Sequence, residues 1–135
     1  QMKNLFFAIA TITSIFFVNA QQAAVKNINS TDFKQLIEKK DGILLDVRTL
    51  FEFKGGHLKE ADLLNYYAWS FKDSLLLLSK DKPIYIYCRT GYRSKRAAKI
   101  LIENGYKNVF NLENGIKEWE QHKYPTEKGY LNASN

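Results

Sequence analysis

From Ala23 onward the chain alternates short apolar runs with stretches of helical periodicity. Ala24-Val25-Lys26-Asn27-Ile28 predicts a first strand. Ser30 is placed to cap a helix through Lys40, with Phe33, Leu36 and Ile37 on one face. Asp41-Gly42 turns the chain into Ile43-Leu44-Leu45-Asp46-Val47, a near-continuous apolar strand of the kind buried on both faces. A short helix over 49–54 is stopped by Gly55-Gly56, a short strand follows over 61–64, and a leucine-rich helix is predicted over 70–79. Pro83-Ile84-Tyr85-Ile86-Tyr87 is the clearest strand, because β-branched and aromatic side chains fit a pleated, buried surface. Cys88 to Arg93 forms a loop. A helix over 94–104 turns Ala97, Ala98, Leu101 and Ile102 inward and stops at Gly105. A strand over 109–112 and a helix over 115–122, anchored by Trp119, complete the pattern. Strands alternating with helices predict an α/β fold with a largely parallel sheet.

The first twenty residues follow a different pattern. Met2-Lys3-Asn4 carries a positive charge, Leu5 to Val18 is uncharged and largely apolar, and Val18-Asn19-Ala20 ends on a small residue. This is the layout of a secretory signal peptide, cleaved after Ala20, and Gln1 reads as an addition ahead of the methionine. As a helix the apolar run spans about 21 Å, short of the roughly 30 Å hydrocarbon core, so no stable membrane anchor is expected after cleavage, and an uncleaved anchor is the rival reading. The expected destination is the periplasm or the cell exterior. Residues 21–135 are then expected to form a single domain.

Composition adds two constraints. Hydrophobic residues make up 45% and charged residues 25%, a globular balance that disfavours disorder. The net charge of +6 comes from scattered Lys and Arg with no long basic run, so a solvated basic surface is expected and a nucleic-acid partner is not. A monomer is expected. Cys88 is the single cysteine, which excludes an internal disulfide, a CxxC redox pair and a cysteine-cluster metal site. His57 and His122 are not at ligand spacing, so neither metal nor other cofactor is expected. An exported lone thiol in an oxidising compartment calls for a chemical reason.

The stretch YIYCRTGYRSKRAAKIL, residues 85–101, supplies one. A buried strand delivers Cys88 to its carboxyl end, the edge where open α/β sheets bind ligands. A helix begins six residues later. A loop curling between strand end and helix start aims successive backbone N–H groups at one point, and a helix N-terminus binds anions through the same donors. Gly91 admits backbone angles that a side chain forbids. Ser94 is placed to cap the helix, and Arg89 and Arg93 add positive charge. Only thiolate sulfur is nucleophilic, and such a setting favours it.

This loop resembles the active-site loop of the rhodanese family. Leu44-Leu45-Asp46-Val47-Arg48 followed by Glu52-Phe53, Gly56-His57-Leu58 with Ala61, and Asn114-Gly115-Ile116 with Trp119 are similar to other family segments and occur in the family's order. The resemblance covers about residues 23–126. It implies a five-stranded, mainly parallel sheet flanked by helices on both faces, with the cysteine strand central. It also implies a sulfurtransferase in which Cys88 takes sulfane sulfur as a persulfide from a small anionic donor such as thiosulfate. The sulfur then passes to a thiophilic acceptor such as cyanide or a thiol. Arg89, Thr90, Gly91, Tyr92, Arg93 and Ser94 are the residues expected around that sulfur. Cysteine phosphatases of related fold use C-x5-R, whereas Cys88 to Arg93 is C-x4-R, with Ser94 where the phosphatase arginine would fall. The shorter loop favours sulfur over phosphate. A non-enzymatic persulfide carrier or binding module stays open, as does, less favoured, a cysteine phosphatase or arsenate reductase.

The remaining notable residues are expected to be structural. Asp46 and Arg48 end a buried strand, with Arg48 pairing Glu52. His57 is assigned to turn packing, since a thiolate needs no general base. Trp119 and Tyr85 are assigned to the core, and Tyr92 to the pocket rim.

Overall fold

The computed structural model describes residues 22–129, so the signal-peptide reading of residues 1–20 lies outside the described residues. The elements in chain order are β1 (Lys26–Ile28), α1 (Ser30–Ile37), β2 (Ile43–Asp46), α2 (Leu50–Gly55) and β3 (Asp62–Leu63). They continue with α3 (Phe71–Leu75), β4 (Ile84–Tyr87), α4 (Tyr92–Glu103), β5 (Val109–Leu112) and α5 (Gly115–Gln121). The strands form one all-parallel five-stranded sheet in the order β1-β5-β4-β2-β3.

β4 is central, paired with Ile43–Asp46 on one side and with β5 on the other, and all four of its residues are buried. Its side chains alternate between faces, as the pleat requires. Ile84 and Ile86 join Leu45 and Val47 beneath Phe71 and Leu75 of α3 and Ala97, Ala98 and Leu101 of α4. Tyr85 and Tyr87 join Leu112 against Phe33 of α1, Phe53 of α2, and Ile116 and Trp119 of α5. Two apolar layers therefore sandwich the sheet, and alanines 97 and 98 let α4 lie close to it.

The connection after β2 leads outward to β3, whereas the connection after β4 leads the opposite way to β5. The topological switch point thus falls between β2 and β4, the kind of place at whose carboxyl edge open α/β sheets bind ligands. Cys88 follows β4 there.

Three local expectations are corrected. Asn29, not Ser30, caps α1: its side chain accepts from the Asp32 N–H at 2.9 Å, while the buried Ser30 hydroxyl donates to Glu118 at 2.8 Å. The predicted helix over 70–79 spans only Phe71–Leu75. A run of four leucines has no helical periodicity, and continuing the helix serves no single face. The chain turns instead, packing Leu76 and Leu78 on the core and leaving Leu77 exposed. Finally, Arg48 does not pair with Glu52. Its guanidinium holds Asp46 through Nε at 3.0 Å and through a terminal nitrogen at 2.7 Å, and that nitrogen also donates to the Gly56 carbonyl at 2.6 Å. The pair is buried and ties the end of β2 to the turn after α2.

Candidate active site

The Cys88 loop is shaped from below by α5. The Cys88 carbonyl accepts from the Ile116 N–H at 2.9 Å and the Arg89 carbonyl from the Lys117 N–H at 3.1 Å. These are the otherwise unpaired amides of the first turn of α5. Among the described residues no peptide bond is cis, and a trans peptide points its N–H opposite its carbonyl. The amides of Arg89 and Thr90 therefore face away from α5. Gly115 makes this contact possible: a Cβ there would stand 2.3 Å from the Arg89 carbonyl oxygen.

Above the loop, two donors converge on the sulfur. The Gly91 N–H donates to Cys88 Sγ at 3.2 Å and the Ser94 hydroxyl donates at 3.4 Å. α4 begins at Tyr92, and its first i→i−4 bond runs from the Lys95 N–H to the Gly91 carbonyl. The amides of Tyr92, Arg93 and Ser94 precede that bond and carry the positive end of the helix dipole. Ser94 is thus not the cap. The cap position is Gly91 at φ 92°, and the hydroxyl of Ser94 is turned to the sulfur instead. Cys88 is only 1% exposed, so the sulfur is almost wholly covered.

Gly91 is held tightly: a Cβ would fall 1.9 Å from the Glu113 carbonyl oxygen, in a backbone region that disfavours side chains. Gly91→Ala is expected to cost at least about 2 kcal/mol, from backbone strain and displacement of the 113 peptide. It should lower the melting temperature by roughly 5–10 °C. Thermal unfolding followed by circular dichroism reads this, and an unchanged melting temperature would show that the loop relaxes freely.

The other expected site residues divide by exposure. Arg89, Thr90 and Tyr92 are exposed, with Tyr92 at the mouth accepting from Arg96 at 3.3 Å. Arg93 does not act as a free positive charge. Its two terminal nitrogens donate to Glu52 at 2.9 and 2.8 Å, and its guanidinium lies 5.7 Å from the centre of the Tyr67 ring. Glu52 in turn closes a capping box with Thr49 at the start of α2. Its hydrogen bond to Arg93 and those from Thr49 outweigh partial burial and hold its carboxyl at about 2 against an ordinary 4.5. Sequence reasoning missed this pairing and the place of Tyr67. The Thr49-x-x-Glu52 spacing signals the capping box, but nothing local signals Arg93, 41 positions away.

The depressed Glu52 value has a consequence for stability. A carboxyl lowered on folding stabilises fully above its unfolded value. The contribution of Glu52 is therefore present above about pH 4.5 and is lost as pH falls toward about 2. Acid denaturation should begin at higher pH in wild type relative to its own plateau than in Glu52→Gln, whose profile should be flatter between those values.

His57 has the structural role expected of it. It is buried, its Nδ1 donates to the Phe53 carbonyl at 2.9 Å, and its ring stacks on Phe53 at 3.7 Å. Trp119 and Tyr85 are core residues at 3% exposure each.

A doubly covered parallel sheet carrying a cysteine loop at its switch point, with helix amides behind the sulfur, defines a rhodanese-type α/β domain. The family model of the rhodanese-like domain matches residues 29–122, and the chain belongs to that family. Over 122 residues it is 34% identical to the protein YqhL of Bacillus subtilis, covering 87% of this chain and 94% of that protein. Over 102 residues it is 35% identical to a sulfurtransferase of Allochromatium vinosum, covering 75% of this chain and 94% of the relative. The crystal structure of a rhodanese-related protein from Thermoplasma volcanium matches with a TM-score of 0.68 at 28% identity, over 77% of this chain and 99% of that one.

Proposed function

We propose that the chain is a sulfurtransferase that moves sulfane sulfur from a donor to a thiophilic acceptor through a persulfide on Cys88. One observation carries the reading: the Gly91 N–H and the Ser94 hydroxyl both point at a cysteine sulfur set at the carboxyl end of the central strand. Those donors favour an anion on sulfur, and the first-turn amides of α4 extend the same preference to the outer sulfur of a Cys–S–S⁻ group. In the first half-reaction the Cys88 thiolate attacks the outer sulfur of a donor such as thiosulfate. A new S–S bond forms, the old one breaks, and sulfite leaves with the electron pair of the broken bond. In the second, cyanide or a thiolate attacks the outer sulfur and Cys88 leaves as thiolate. No proton transfer is required on the enzyme when both nucleophiles arrive as anions, which suits a site whose nearest histidine is used in packing.

The apolar leader-like pattern of residues 1–20 supports a working place outside the cytoplasm. The rhodanese-like family match over residues 29–122 and the 35% identity to a sulfurtransferase of Allochromatium vinosum support the chemistry.

The test is the intact mass of the purified protein after incubation with excess sulfane donor, thiosulfate and methanethiosulfonate anion in parallel. A gain of one sulfur atom, removed by cyanide with release of thiocyanate, is expected. A mass unchanged with both donors would sink the proposal.

A further inference from the structure

We infer that Glu52 selects the donor by charge, cancelling Arg93 beside the cysteine loop so that the site takes singly charged or neutral sulfane donors in preference to dianions. This deepens the sulfurtransferase reading and rests on it.

Arg93 stands in the first turn of α4, the helix whose N-terminus backs Cys88. Left free, its guanidinium would be the natural clamp for an incoming anion. It is instead gripped in a two-pronged ion pair by Glu52, which spends both terminal nitrogens. The carboxylate cannot readily swing away. Besides Arg93 it accepts from the Thr49 N–H and the Thr49 hydroxyl, each at 3.0 Å, and Tyr67 lies against the guanidinium. Glu52 therefore keeps the Arg93 charge cancelled throughout the neutral range. Thr90 is neutral, and Arg89 and Arg96 are solvent-exposed, where water and salt weaken their pull. A dianion reaching Cys88 must meet Glu52 or prise it from Arg93, whereas a persulfide or thiosulfonate carrying one charge is held by the loop amides alone.

A mere brace between α2 and α4 would behave differently, and the experiment separates the two roles. Thiosulfate and methanethiosulfonate anion offer the same outer sulfur and differ by one charge. The Cys88 thiolate takes that sulfur from either, releasing sulfite from the first and methanesulfinate from the second, and holds it as Cys–S–S⁻. Glu52→Gln keeps a side chain that still serves the capping box but loses the charge. The ratio of loading rate constants, kcat/KM for thiosulfate over methanethiosulfonate, is expected to rise roughly fivefold to tenfold in the variant, the effect of one unit charge beside a partly wet site. The gain should shrink as salt is raised, because exposed charges are screened. A brace would change both donors alike and leave the ratio unmoved. A ratio within about twofold of wild type, or a rise indifferent to salt, overturns charge selection while leaving the persulfide reading standing. Failure of both donors to load wild type overturns the persulfide reading and this inference with it.

Discussion

Cys88→Ser is expected to load no sulfur and to lower thiosulfate:cyanide transfer at least about 10⁴-fold, to the uncatalysed background, the scale seen when a covalent nucleophile is removed. Serine retains an acceptor for the Gly91 N–H and a partner for the Ser94 hydroxyl, both aimed at the present sulfur position. Stability should therefore move by no more than about 1 kcal/mol. What disappears is the chemistry. An alcohol is not measurably ionised at neutral pH, and an O–S link is no substitute for a persulfide. Cys88→Ala is the harsher variant, because it leaves both donors without an acceptor in a buried site. Thiocyanate formation and intact mass report the outcome. Retention of more than a few per cent of wild-type transfer would place the reacting group elsewhere.

Arg48→Ala is expected to destabilise the domain by about 3–5 kcal/mol, the range for stranding one partner of a buried ion pair. Asp46 is wholly buried, and Arg48 binds it through the side chain and through the backbone N–H at 2.9 Å. The variant removes the guanidinium from the carboxylate and from the Gly56 carbonyl together. Thermal unfolding should show a fall of roughly 10–20 °C. Replacing both partners by apolar residues, Asp46→Leu with Arg48→Met, should recover more than half of that loss, since no buried charge is then left alone. Urea titration of wild type and both variants tests this. A single variant as stable as wild type would mean that water reaches Asp46 and that the pair does not hold β2 to the turn after α2.

The two predictions differ in where their reasons lie along the chain. The catalytic expectation was legible at once, because strand β4, the Cys88 loop and α4 are contiguous, and each is announced by its own local pattern of β-branched residues, glycine and helical periodicity. The partner of Arg48 was not. Asp46 and Glu52 both lie within reach in sequence, and which one the guanidinium meets depends on side-chain direction at the end of a buried strand. Glu52 was then free for Arg93. Ser94 shows the same limit at shorter range: its spacing suggests a cap, but α4 starts two residues earlier and turns the hydroxyl to Cys88.

By itself the amino-acid sequence determined the alternating α/β pattern, the buried central strand, the place of the one cysteine at its carboxyl end, and the membership carried by four motifs in order. The pattern, the burial of the strand and the place of the cysteine are read from neighbours within a few residues, where backbone propensity and apolar spacing act directly, whereas the central position of the strand and the membership rest on the family resemblance. Only the tertiary structure decided which charges cancel, which amides face the sulfur, and how α5 turns the loop carbonyls aside. Those depend on contacts between segments tens of residues apart, brought together by burial of the two apolar layers, and burial dictates that the layers meet without dictating which polar groups at their rims become partners.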